Sequence, residues 1–181
     1  MGSGKGEIVR LLEAEGFHYI SLSDMVRAEA RRLGRPVDRR EMQDIGNRLR
    51  RDGGGGVLGQ KVADHIRGQN GIPRWVIDGI RNPAEVEALR GLPAFFLLGV
   101  DAPLDLLVRR LLSRSRDTDR LTETELRARL DREWGIGEPE DGQRVGDCMD
   151  TADHVLVNDG GLDSLERDLR QWLHTIEAYH E

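Results

Sequence analysis

Short apolar stretches alternate with amphipathic helical segments along almost the whole chain, and this alternation limits the possible folds more than any other feature. His18 to Ser23 (HYISLS), Arg74 to Ile80 (RWVIDGI), Ala94 to Val100 and Asp153 to Asn158 (DHVLVN) each read as a strand. Helices are predicted around them. Glu7 to Glu15 carries Ile8, Val9, Leu11 and Leu12 on one face, and Asp24 to Leu33 ends at Gly34-Arg35-Pro36. Asp38 is placed to cap a helix in which Met42, Ile45 and Leu49 recur at helical spacing. Gly53 to Gly56 break that helix, and Val57 to Arg67 resumes as another. Asn82-Pro83 starts a helix, and Pro103 opens one that runs through Leu112. Thr122-x-x-Glu125 is a capping box ahead of Leu126, Leu130 and Trp134. The last helix buries Leu162, Leu165, Leu169, Trp172, Leu173 and Ile176. Strands separated by helices imply βαβ units, hence an α/β fold with a parallel sheet covered on both faces.

Composition narrows the class. A chain of 181 residues is one domain of ordinary size, expected to span 1–181 without an interdomain linker. The longest apolar run, Pro93 to Val100, is far short of a membrane span, and no charged-then-apolar leader pattern opens the sequence. Cys148 is the single cysteine, which excludes a disulfide framework and fits a reducing compartment, so a cytoplasmic location is expected. The net charge of −6 argues against a dedicated nucleic-acid binder. Lysine occurs only at Lys5 and Lys61 among 27 basic residues, so Lys5 stands out from an arginine background.

Met1 to Glu7 reads MGSGKGE. The pattern G-x-x-x-x-G-K-[ST] cradles phosphate, and Gly4-Lys5 supplies its G-K with Met1, Gly2 and Ser3 in the spacer. The glycines let backbone N–H groups converge on phosphate oxygens, the following helix directs its positive end there, and Lys5 adds a charge. Asp78 ends an apolar strand, the end at which open α/β sheets bind ligands.

Taken together, these stretches resemble the P-loop nucleoside monophosphate kinases, and most closely their deoxynucleoside monophosphate kinase or dephospho-coenzyme A kinase-like branch. Ser21-Leu22-Ser23-Asp24-Met25-Val26-Arg27 resembles the segment whose arginine grips the acceptor's phosphate. Asp78-Gly79-Ile80-Arg81 resembles a strand-end element with an acid near magnesium and an arginine on phosphate. Arg109 to Trp134 resembles an arginine-bearing lid, and Val155 to Gly160 the strand and turn beside the adenine. The resemblance implies a three-layer P-loop fold that binds ATP and Mg2+, with acceptor helices over about 24–67 and a lid over about 113–134. It implies nucleotide contacts from Gly2, Ser3, Gly4, Lys5, Gly6 and Glu7, and acceptor contacts from Arg27 and Arg81. Asp78 would face the metal, and Lys5, Asp78, Arg114 and Arg116 would serve transfer to a small-molecule phosphate acceptor.

Two features depart from that family. Gly6 and Glu7 follow Lys5, so the loop hydroxyl that ligates magnesium in many relatives is absent and an acid stands near the expected phosphates. The family's first strand, which sits mid-sheet, is missing before Gly2. It would lie between the 74–80 and 94–100 strands, which makes Met1 readable as an internal methionine of the loop. About five buried aliphatic side chains from such a strand are worth ~8–15 kcal/mol, comparable with the stability of a whole domain. The chain is therefore expected to bind nucleotide weakly and to associate through exposed sheet edges. A nucleotide-binding regulatory or pseudo-kinase module is the alternative reading. An RNA or DNA binder using the arginine-rich 27–51 segment is a third, which the acidic balance disfavours. Arginines 31 to 51 are read as a solvated helical face, Asp24 as a helix cap, and Cys148 as packing.

Overall fold

Residues 2–69, 71, 73–114 and 122–178 are described by a computed structural model of the chain. In chain order they form α1 (Lys5–Ala14), β1 (His18–Ser21), α2 (Leu22–Arg32), α3 (Arg39–Gly53), α4 (Val57–Arg67), β2 (Trp75–Asp78) and α5 (Pro83–Arg90). There follow β3 (Leu98–Asp101), α6 (Leu104–Arg114), α7 (Glu123–Trp134), α8 (Val145–Asp150), β4 (His154–Val157) and α9 (Leu162–Ala178). Polar side chains set several helix starts. Capping boxes Ser21/Asp24, Asn82/Glu85 and Thr122/Glu125 open α2, α5 and α7, and Asp38 accepts from the Glu41 amide at 2.9 Å to open α3.

Among the described residues all the strand pairing is parallel. β1 lies on β2 from His18↔Trp75 to Ser21↔Asp78, and β3 lies on β4 from Leu98↔His154 to Asp101↔Val157. β2 and β3 do not pair, so the described strands form two two-stranded sheets. The inner edges of β2 and β3 face a common cavity of about 1370 Å³, lined among others by Ile8, Val76, Ile77, Leu98 and Val100. The unpaired slot falls where the family resemblance puts the first strand.

Alternation along the strands sends side chains to two helical layers. Val76, Leu98 and Val100 pack with Ile8, Leu11 and Leu12 of α1 and with Leu165 and Leu169 of α9. Ile20 and Ile77 face the other way, onto Val26, Ile45, Leu58 and Val62 of α2, α3 and α4. This is an α/β, P-loop NTPase-like fold, and each of its fully buried leucines contributes roughly 1.5–3 kcal/mol.

Three segments differ from the sequence reading. Leu22 and Ser23, read as strand, open α2 instead, because the Ser21 side chain accepts from the Ser23 amide and caps the helix there. Residues 94–97 are not strand: pairing with β4 begins only at Leu98, and the other edge of this stretch faces the cavity, so no ladder forms there. Asp153 holds the segment instead, its side chain accepting from the Leu97 amide at 2.6 Å and its own amide donating to the Leu97 carbonyl at 2.9 Å. The short α8 was not anticipated either; it carries the buried Cys148. No described helix is long and apolar enough to cross a membrane.

Candidate phosphate-binding site

Gly4 stands at the N-terminus of α1 with φ 103°, a backbone conformation that an L side chain adopts only under strain. Its carbonyl accepts from the Glu7 and Ile8 amides at 2.8 and 3.2 Å, which leaves the earlier amides of the first turn without carbonyl partners in the helix. A Cβ on Gly4 would sit 2.4 Å from the Asn158 side-chain nitrogen, so the loop rests directly on the end of β4. Asn158 is buried, and its Nδ2 donates to the Ser3 carbonyl at 2.9 Å. Arg110 of α6 completes the support, donating to Asn158 Oδ1 at 3.0 Å and to the Gly2 carbonyl at 3.4 Å.

Lys5 forms an ion pair with Asp78 at the C-terminal end of β2. The lysine is half exposed and the carboxylate mostly covered, with side-chain exposures of 52% and 18%. Tyr19 of β1 brings its hydroxyl to the other Asp78 oxygen at 3.4 Å. Burial pushes the Tyr19 phenol above its ordinary value, and the nearby negative charges of Asp78 and Asp24 add to this. Glu7 pairs with Arg10, one turn along α1, with Arg10 Nε 3.2 Å from its carboxylate. The arginine's hydrogen bonds hold the Glu7 carboxyl below its usual range, so the acid that departs from the family pattern is neutralised within its own helix.

The two expected acceptor arginines differ. Arg27 donates to Asp24 Oδ1 from Nε and Nη2 at 3.1 and 2.7 Å, while Asp24 also accepts from the Ser21 amide at 3.3 Å as the expected cap. Arg81 has both backbone polar groups bound, its amide to Glu85 at 2.8 Å and its carbonyl to the Arg144 amide at 2.7 Å. Among the described residues its guanidinium makes no ion pair, and it lines the same cavity as Lys5 and Asp78. Arg114 is the last residue of α6, and Arg116 lies outside the described residues. The Cys148 thiol, pushed up to about 12 mainly by burial, is not a nucleophile at neutral pH.

Lys5, Asp78 and the α1 amides thus come together, with Arg81 on the same cavity, while Arg27 is tied to Asp24. Magnesium in nucleotide sites is held by one or two carboxylates together with substrate phosphates, a role that Asp78 can fill. No group of three or more His, Cys, Asp or Glu among the described residues could hold a metal ion by itself. Arg110 and Asn158 fell within the stretches read as the lid and as the strand and turn beside the adenine, though without these hydrogen bonds, whereas Tyr19 and the buried Arg50–Glu85 pair carried no signal in the sequence. Arg50 departs most from its sequence reading: in the segment taken as a solvated face, it is 5% exposed.

Comparison with known proteins agrees with this fold. A family model described as an AAA domain matches residues 1–127. A UPF0200 protein of Methanothermobacter thermautotrophicus is 32% identical over 179 residues, covering 97% of this chain and 86% of the relative. Another, from Methanoculleus marisnigri, is 32% identical over 94% of this chain and 90% of its own length. The crystal structure of TT1252 from Thermus thermophilus superposes with a TM-score of 0.59 at 24% identity, covering 97% of this chain and 93% of that one, a likeness of fold. The chain belongs to the AAA domain family, a P-loop family, and is a member of the UPF0200 proteins.

Proposed function

We propose that this protein is a P-loop small-molecule kinase, moving the γ-phosphoryl group of ATP to a (deoxy)nucleoside monophosphate or dephospho-coenzyme A-like acceptor. The observation that carries the reading is the Lys5–Asp78 pair at the first turn of α1, beside an arginine with no carboxylate partner among the described residues. Phosphoryl transfer needs positioning and charge neutralisation rather than a covalent nucleophile, and these are the groups that supply both. Lys5 and the loop amides would hold the β- and γ-phosphates, which separates Lys5 from Asp78 and frees the carboxylate to face Mg2+. Bound magnesium would screen the phosphate charge. Arg81 would grip the acceptor's phosphate, and Arg27 would join it by releasing Asp24. Arg114 and Arg116 would neutralise the transferring group on closure.

The slot between β2 and β3 belongs to the same reading. A strand running parallel to both and feeding Gly2 would complete the sheet and supply the first half of the phosphate loop. The unpaired edges and their apolar lining support this. A second reading, nucleotide binding without turnover, is favoured by one observation: Gly6 and Glu7 replace the hydroxyl that would ligate magnesium.

The test is a thermal-shift panel of nucleoside monophosphates and dephospho-coenzyme A with ATP and Mg2+, followed by a coupled kinase assay on whichever acceptor stabilises. Stabilisation by both substrates with turnover is the expected result. Binding measured by calorimetry without turnover favours the second reading, and no nucleotide binding overturns both.

A further inference from the structure

The side chains of Arg50 and Glu85 are buried together far from either terminus, at 5% and 0% exposure. One carboxylate oxygen of Glu85 takes Arg50 Nε at 2.9 Å and Nη2 at 2.8 Å. The other accepts from the amides of Arg81 at 2.8 Å and Asn82 at 3.1 Å. A capping box for α5 needs only the Asn82 amide. The Arg81 amide and the arginine from α3 are additional.

The surroundings leave this carboxylate no freedom to move. Gly59 of α4 lies so close to α5 that a Cβ there would sit 2.6 Å from the Glu85 carbonyl oxygen. Arg50 Nη1 reaches Asn47 Oδ1 at 3.3 Å on its own helix. Asn82 donates to the carbonyls of Glu140 and Gly142 at 2.7 and 3.0 Å, tying in the chain that returns from α7. A buried ion pair is seldom the most stable filling for such a space, since well-packed apolar side chains often do as well or better. What the apolar filling could not do is accept from two successive amides and anchor α3 to them.

We propose that the Arg50–Glu85 pair is a positioning device for Arg81: it fixes the backbone of that arginine relative to Asp78 and to α3, so that its guanidinium meets the acceptor's phosphate. The proposal rests on the kinase reading. Arg50 and Glu85 touch no substrate, so they are positioning residues, and their effect appears on the acceptor alone.

The experiment compares three forms of the full chain with wild type. Arg50→Met/Glu85→Leu removes the device while filling its volume. Arg50→Met/Glu85→Gln returns an oxygen for the amides. Arg81→Ala removes the group positioned. Acceptor KM, ATP Kd and Kd for inorganic phosphate are read at a temperature where melting curves show each form folded. The Leu form is expected to raise acceptor KM and phosphate Kd at least tenfold, approaching Arg81→Ala, with ATP Kd within about twofold. The Gln form, which restores an acceptor for the amides but not the anchor to α3, is expected to recover part of that loss. An acceptor KM unchanged in the Leu form, or ATP binding lost in parallel, overturns the proposal and marks the pair as structural. If the Leu form does not fold, Arg50→Lys is read in the same way, against the same limits. If wild type transfers no phosphoryl group, the kinase reading fails and inorganic phosphate decides the inference. Phosphate binding weakened alike by Arg81→Ala and the Leu form sustains it, and binding indifferent to either overturns it.

Discussion

Replacing Gly4 by alanine tests the loop geometry where the structure is most restrictive. The new Cβ would lie 2.4 Å from Asn158 Nδ2 and 3.0 Å from Leu165 Cδ2, at a backbone φ of 103°. Holding a non-glycine residue in that region costs about 1–3 kcal/mol. Asn158 must also swing away, giving up its hydrogen bond to the Ser3 carbonyl, a net loss of about 0.5–1.5 kcal/mol. The sum is ~1.5–4.5 kcal/mol. At roughly 2–4 °C per kcal/mol for a chain of this size, Tm is expected to fall by about 3–18 °C. Because the displaced carbonyl is part of the phosphate loop, ATP affinity should fall as well, by at least tenfold measured calorimetrically on the folded variant. A Gly4→Ala protein that melts within about 2 °C of wild type and binds ATP equally well would refute the packing of the loop on Asn158.

Lys5→Ala should abolish detectable transfer, on the order of 100-fold or more in kcat, with an unshifted far-UV spectrum, because it removes charge from the transferring group. Normal turnover would end the kinase reading. Arg81→Ala is expected to raise acceptor KM more than Arg27→Ala does, since Arg27 must first leave Asp24; steady-state kinetics with varied acceptor would expose the reverse order. Extending the N-terminus by roughly ten residues, enough for one strand and the loop's first glycine, should raise Tm and ATP affinity together and suppress self-association. Identical melting and sedimentation for both lengths would dismiss a strand in the slot.

Periodicity in the sequence located most elements to within a few residues, because buried faces impose it: Ile8, Leu11 and Leu12 recur on α1, and Leu165 and Leu169 on α9. Capping chemistry at Asp38, Asn82 and Thr122 is local and equally readable. Asp78 was legible as an acid ending an apolar strand, and Lys5 as a lysine within a glycine run. What remained hidden depends on partners distant in sequence. Nothing near Arg50 announces Glu85, 35 residues on, so a buried cation was indistinguishable from the exposed Arg48 and Arg51 beside it. Tyr19 reaches Asp78 only because the register pairs Tyr19 with Val76, two residues earlier on β2. Residues 94–97 show the opposite error: an apolar run satisfies strand propensity, but a strand also needs a neighbour to bond.

The unpaired boundary between β2 and β3 also bears on how the molecule opens. A continuous sheet couples its strands through shared ladder bonds, so loosening one strand costs the hydrogen bonds of the next. Among the described residues no ladder joins β2 to β3, and side-chain bonds link the halves instead, among them Arg170 to Glu15 at 2.6 Å and Asn82 to the Glu140 and Gly142 carbonyls. The β1–β2 half with α2 to α5 can therefore retain its amide protons while the β3–β4 half exchanges them. Native-state hydrogen exchange should resolve two cooperative units with separate protection plateaus, divided at the phosphate loop.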